Sequence, residues 1–234
     1  MENSWADAQA GGGVLLTSSN QEGSCTYCIT QDVTFSNNVV KNIGMAVVFV
    51  GHQGLPIQPA TMSRLYFYNN LFYPSMRLFS FFKNATAIWF ENNTGFAEFN
   101  SVLIEPVEAP FANYLFRGNI IERPAYGVGG ADEGKAFLDR YFPGNRWENN
   151  AVINSSEGTE GEQATQNLKP KYPVGTILLE GRAEVGFSNL EAVAKDHHGF
   201  ELAPNSPLKK ALPGGKDYGV DFKELDSKLP SPIF

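Results

Sequence analysis

Cys25-Thr26-Tyr27-Cys28 places the only two cysteines of the chain three positions apart. The spacing allows a local disulfide, two free thiols, or part of a metal site with His52 as a third ligand. A structural zinc needs four ligands, and a redox CxxC would sit beside a βαβ unit, so we assign the disulfide and no metal. Side chains able to move protons stand on three polar stretches, residues 18–30, 51–63 and 131–145. Glu22, Asp132 and Glu133 are the acidic candidates, and Arg140, with Lys83 outside these stretches, the basic ones. Each reads first as a solvated surface charge, and catalytic residues stay unassigned. Between residues 66 and 90 aromatics are dense. Phe67 and Phe90 suit the core, whereas Tyr66, Tyr68 and Tyr73 suit exposure as a platform for sugar rings. His197-His198 lies in the tail and, with no metal-ligand motif recognised around it, reads as surface. Asp217-Tyr218-Gly219-Val220-Asp221 offers oxygen donors but is too short for a known calcium loop, so it reads as a capping turn. Three Asn-x-Ser/Thr patterns, at Asn84, Asn92 and Asn154, are no more than an asparagine-rich chain yields by chance.

The elements that must position these groups repeat. An apolar residue, a variable residue and an asparagine pair recur as Phe35-Ser36-Asn37-Asn38, Phe67-Tyr68-Asn69-Asn70, Phe90-Glu91-Asn92-Asn93, Phe116-Arg117-Gly118-Asn119 and Trp147-Glu148-Asn149-Asn150. Met1-Glu2-Asn3-Ser4 is a degenerate copy, and the copies are 34, 32, 23, 26 and 31 residues apart. A coil of three short strands and three turns takes roughly 20 to 30 residues, and inserted loops lengthen some coils. The apolar residue then faces inward and the second asparagine takes the left-handed turn. Asn38, Asn70, Asn93, Asn119 and Asn150 stack as an amide ladder, which stabilises parallel in-register strands. Hairpin signals such as Asn-Gly between alternating strands are absent, which disfavours a sandwich. The expected fold is all-β: a right-handed parallel β-helix of about six coils over residues 1–154. Residues 155–234 are expected to form a loop, a short helix from the Ser188-Asn189-Leu190-Glu191 capping box to about Lys195, and a proline-rich tail capping the last coil.

Composition narrows the function. With 25 acidic against 18 basic residues and no dense basic stretch, nucleic acid is not an expected partner. No apolar run is long enough for a membrane span, and the first residues do not read as a signal peptide. The chain opens inside a coil, so upstream coils of the same polypeptide are expected to precede Met1.

The repeat and tail resemble bacterial secreted right-handed parallel β-helix proteins of the pectin-lyase-like superfamily. More narrowly, they resemble the C-terminal half of an uncharacterised group within it. The likeness rests on residues 2–11, on Gln31-Asp32-Val33-Thr34-Phe35-Ser36-Asn37-Asn38, on Phe200-Glu201-Leu202-Ala203-Pro204-Asn205-Ser206-Pro207 and on residues 217–221. It implies an extracytoplasmic protein and, within the superfamily, lyases and hydrolases of polysaccharides. A hydrolase needs two carboxyl groups across the scissile bond, and a lyase needs a base and a cation; no such motif is recognised. The expected function is binding or processing of a polysaccharide along the edge carrying the three loops, with Glu22, His52, Asp132, Glu133, Tyr66 and Tyr68 as contacts. The net charge favours a neutral glycan, or an acidic one held through calcium. The alternative is a non-catalytic structural or surface-adhesion repeat protein.

Overall fold

The computed structural model describes residues 12–20, 22–50, 60–82, 85–104, 111–129, 132–155 and 162–229. His52, Lys83, Asn84 and the Met1 copy of the repeat lie outside them. The described chain is dominated by parallel strands in two sheets. Sheet 1 holds β2 (Gln31–Ser36), β4 (Met62–Tyr68), β6 (Ala85–Glu91), β8 (Ala112–Arg117) and β11 (Arg146–Glu148), stacked in that order. Sheet 2 holds β1 (Gly12–Thr17), β3 (Val39–Val50), β5 (Leu71–Phe81), β7 (Thr94–Ile104), β9 (Ile120–Arg123), β12 (Ala151–Asn154) and β13 (Ile177–Leu179). A short strand, β10 (Gly127–Val128), also pairs with β7. The chain alternates between the sheets, crossing from each sheet 1 strand to the next sheet 2 strand through an asparagine pair.

Those corners explain the motif. Asn37, Asn69, Asn92, Gly118 and Asn149, the first residue of each pair, hold φ between +49° and +66°. The left-handed residue is therefore the first of the pair, not the second as expected. The turn needs a residue that tolerates positive φ, and the second-last copy uses glycine there. The second residue is left free to build the ladder. Asn38 Nδ2 donates to Asn70 Oδ1, Asn70 to Asn93, Asn93 to Asn119 and Asn119 to Asn150, each at 3.0 Å. Each backbone N–H donates to the same oxygen at 2.9–3.1 Å. The second amide proton reaches a carbonyl of the preceding coil, as from Asn93 to Phe67. Inside this corner the motif's apolar residues stack in turn. Ring centroids are 5.0 Å apart for Phe67 and Phe90, 5.7 Å for Phe90 and Phe116, and 4.7 Å for Phe116 and Trp147.

A second column of left-handed residues runs through sheet 1. Asp32, Arg64, Ala87 and Asn113 all have φ between +51° and +56°, at register-matched places near the starts of β2, β4, β6 and β8. Arg64 and Ala87 gain nothing locally from this conformation. Stacking in register maintains it, because one strand cannot leave it without breaking its pairing to the next.

Three expectations about irregular segments change. The stretch expected as the loop 131–145 contains helix α1 (Lys135–Tyr141). Its Phe137 and Leu138, with Phe142, are fully buried. Phe142 packs on Phe111 at 5.2 Å and on Tyr114 at 4.3 Å, so the insertion plugs the core. The loop expected to follow residue 155 includes helix α2 (Glu162–Leu168). The helix expected from Ser188 to Lys195 is a series of turns. Ser188 Oγ donates to the His198 carbonyl at 2.8 Å instead of capping a helix.

The tail does two jobs. Leu168 and Tyr172 pack with Trp147 at the last coil, and β13 pairs with β12. Beyond helix α3 (Arg182–Val185) the chain turns back and runs along the side of the stack, ending in helix α4 (Phe222–Lys228). Phe200, Leu202, Leu208, Val220 and Phe222 bury the outer faces of Leu71, Phe96, Ile120 and Ile153. The expected wrap around the last coil is a strap across several coils, because sheet 2 carries an apolar outer stripe beside the corner. Tyr73, expected as exposed, is buried there against Phe200 at 4.9 Å.

Candidate functional site

The outer face of sheet 1 is built by alternation along its strands. In register, Tyr66, Trp89, Leu115 and Arg146 form one row. Ser36, Tyr68, Glu91, Arg117 and Glu148 form the next. This second row is the variable position of the repeat, the residue between the buried aromatic and the turn. Sheet 1 strands end at the asparagine corner, where Asp221 and Asp217 of the strap accept from Asn69 and Asn92, so the strap bounds the face on that side.

Its aromatic part is held rigid. Tyr66 and Tyr68 rings stack with centroids 5.7 Å apart, and Tyr66 meets Trp89 edge to face at 6.4 Å. Tyr66 Oη donates to Glu91 at 2.7 Å, and Tyr68 Oη to Glu224 of α4 at 2.6 Å. Burial, then these carboxylate contacts, pushes both phenol pKa values well up, so both remain donors. Trp89 is 37% exposed.

The charged part is paired. Arg117 contacts Glu91, and reaches Glu148 at 3.8 Å. Glu148 also accepts from Arg146 at 2.9 Å. Glu91 is thus occupied on both oxygens, one by Tyr66 and one by Arg117. A cleft of about 490 Å³ opens over Tyr66, Tyr68, Arg117 and Glu148, walled on the far side by Leu212, Pro213 and Lys216 of the strap. It shares Tyr68, Asn92 and Lys216 with a neighbouring cleft of about 440 Å³. Four lysines (209, 210, 216 and 223) and four carboxylates (201, 217, 221 and 224) line the second cleft. A balanced wall of donors and acceptors suits hydroxyl groups, which do both.

The residues expected on the loop edge are not brought together in this way. Cys25 and Cys28 are bonded, with Cα atoms 5.5 Å apart, in a loop where Asn20 Oδ1 accepts from the Ser24 and Cys25 N–H groups. Glu22 is exposed there. Asp132 pairs with Arg140 at 3.1 Å on the surface. Glu133 faces inward, bonded to Arg123, Tyr172 and Lys171. Burial pushes its pKa up, but Arg123, Lys171 and Tyr172 outweigh that and hold it below the usual range. Asn154 is buried against Arg123 and Thr165, which leaves no room for a glycan on it.

Sequence reasoning missed a further cluster. His197 and His198, read as surface, lie beside Asp226 of α4. Burial, then the neighbouring His198, lowers the His197 pKa. Asp217 and Asp221 do serve as turn and cap: Asp217 accepts from the Lys210 N–H at 2.7 Å, and Asp221 caps α4 through the Glu224 N–H at 3.0 Å. Among the described residues no helix is long and apolar enough to cross a membrane. No protein-family profile, curated protein or solved structure matches the chain.

Proposed function

We propose that the chain is an extracytoplasmic right-handed parallel β-helix protein, of the pectin-lyase-like kind, that binds a neutral glycan on the outer face of sheet 1. One observation carries this reading: an ordered Tyr66–Tyr68–Trp89 surface continues into two clefts walled by balanced polar groups. Sugar rings present apolar faces that stack on such aromatics and hydroxyls that need both donors and acceptors. The parallel stacking through five asparagine corners supports the solenoid, and the Cys25–Cys28 bond supports an oxidising compartment. The reading is of binding without cleavage, because Glu91 and Glu148 are both engaged by arginine. This also accommodates a surface-adhesion role, in which holding a glycan is the whole task.

The test is a panel of neutral and acidic polysaccharides, measured for affinity and for new reducing ends. Neutral chains should bind, and Trp89→Ala should weaken them about three- to tenfold, the worth of one aromatic contact. No reducing ends should appear. If the loop edge is the binding surface instead, joint replacement of Glu22, His52 and Asp132 by alanine will weaken binding and Trp89→Ala will not. No binding to any member of the panel rejects the glycan reading altogether.

A further inference from the structure

We propose that His197, His198 and Asp226 form a divalent transition-metal site of the zinc type, tying the turn at His197–Phe200 to helix α4. The side chains come from segments 28 residues apart (226 − 198), and only the strap's return path brings them together. Ligand-capable atoms of all three lie within 4.8 Å of one another. His198 Nε2 stands 3.5 Å, and His197 Nε2 3.8 Å, from Asp226 Oδ1. The second distance is too long for a hydrogen bond, and His197 Nε2 is buried with no hydrogen-bond partner among the described residues. A polar atom withdrawn from water thus faces a carboxylate that it does not reach.

That spacing is close to what a metal needs. Around a tetrahedral zinc with bonds of ~2.0–2.1 Å, donor atoms stand about 3.3 Å apart. The carboxylate oxygen is therefore within about half an ångström of the required separation from both imidazoles. The rings are already ordered. They stack on each other at 4.6 Å, and Phe222 lies against both, at 6.2 and 5.7 Å. The His198 N–H donates to Asp196, which fixes the start of the turn. Two imidazoles and one carboxylate suit zinc and its first-row neighbours, whereas calcium and magnesium take oxygen donors. His198 and Asp226 are partly exposed, at 42% and 44%, so water can complete the coordination. Asp226 shares its helix with Glu224, which holds the Tyr68 hydroxyl. The site is independent of whether the face binds a glycan.

The experiment uses tag-free, chelator-treated chain titrated with zinc chloride by calorimetry. One zinc per chain should bind, and the thermal midpoint should rise with zinc and not with calcium. His198→Ala and Asp226→Asn should each weaken binding by about 100-fold, while Lys228→Ala should leave it unchanged. Because Asp226→Asn could loosen α4 by itself, the wild type is also followed by imidazole NMR. Zinc should shift the signals of two of the three histidines, His197 and His198, and spare His52. An absence of stoichiometric binding at millimolar zinc, unchanged affinity in Asp226→Asn, or a shift confined to His52 overturns the proposal.

Discussion

Asn93 shows what one residue of the ladder contributes. It is 2% exposed. Its Oδ1 accepts from the backbone and side-chain nitrogens of Asn70, and its Nδ2 donates to Phe67 O and Asn119 Oδ1. Asn93→Ala strands several buried polar groups and should cost about 3 kcal/mol, because each unsatisfied group carries its full desolvation penalty. Asn38→Ala, at the half-buried end, should cost about 1 kcal/mol. Asn93→Asp should be worse than alanine, since its carboxylate would face the acceptors Phe67 O and Asn119 Oδ1. Urea unfolding midpoints at constant m-value measure all three. The ladder was legible in the sequence for the same reason that it is sensitive to substitution. Only an amide of this length both donates and accepts along the stack, so the residue repeats. Which asparagine takes the positive φ was not legible from Asn-Asn copies, because both members tolerate it; Gly118 alone marks the position. The outward row of the candidate site was hidden as the motif's variable residue, since Tyr68, Glu91, Arg117 and Glu148 share a place and not a chemistry.

At the scale of elements, helix α1 and the segment leading into it carry more structure than their sequence announces. Phe137, Leu138 and Phe142 are apolar, but seven helical residues between a glycine and a proline-glycine turn leave too short a window for periodicity to register. The helix is fixed from outside, by the core it enters and by Glu133 just before it. Glu133 pairs with Arg123, which is only 8% exposed. Glu133→Gln removes one charge of a mostly buried pair and should cost about 3 kcal/mol at neutral pH. Asp132→Asn, whose pair with Arg140 is exposed, should cost at most about 1 kcal/mol. The pH dependence follows from the folded-state pKa of Glu133 lying below its ordinary value of 4.5. The carboxylate's contribution is fully present above that value and is lost as pH falls through the depressed folded one. Chemical denaturation should therefore show the Glu133→Gln deficit constant from pH 7 to 5 and shrinking below about 4.5. A deficit that persists unchanged to pH 3 would place its origin in packing.

The whole molecule differs from a plain stack of repeats because of the strap. In a solenoid each coil touches only its neighbours, so stability is a sum of local terms and the ends can open separately. Here one segment binds several coils at once. The Gly219 N–H donates to Gly118 O at 2.7 Å, the Val220 N–H to Thr94 Oγ1 at 3.1 Å, and the Asp221 N–H to Asn69 Oδ1 at 2.7 Å. Phe200 packs on Phe96 at 4.3 Å and on Tyr73 at 4.9 Å. Coils that share no pairing with each other therefore share a partner, which couples their opening. Native-state hydrogen exchange should show the amides of β4, β6 and β8 and their successors in sheet 2 opening at a common free energy. Phe200→Ala removes the aromatic wedge at a cost of about 3–5 kcal/mol, and should do more than lower that free energy. The coils carrying Tyr73 and Phe96 should become distinguishable from the coil carrying Trp147, whose contacts with Tyr172 and Thr176 are untouched. A uniform loss of protection in every strand, with no separation between the two groups, would show that the stack is cooperative without the strap. The strap would then be a cover for the apolar stripe of Leu71, Phe96, Ile120 and Ile153 and nothing more.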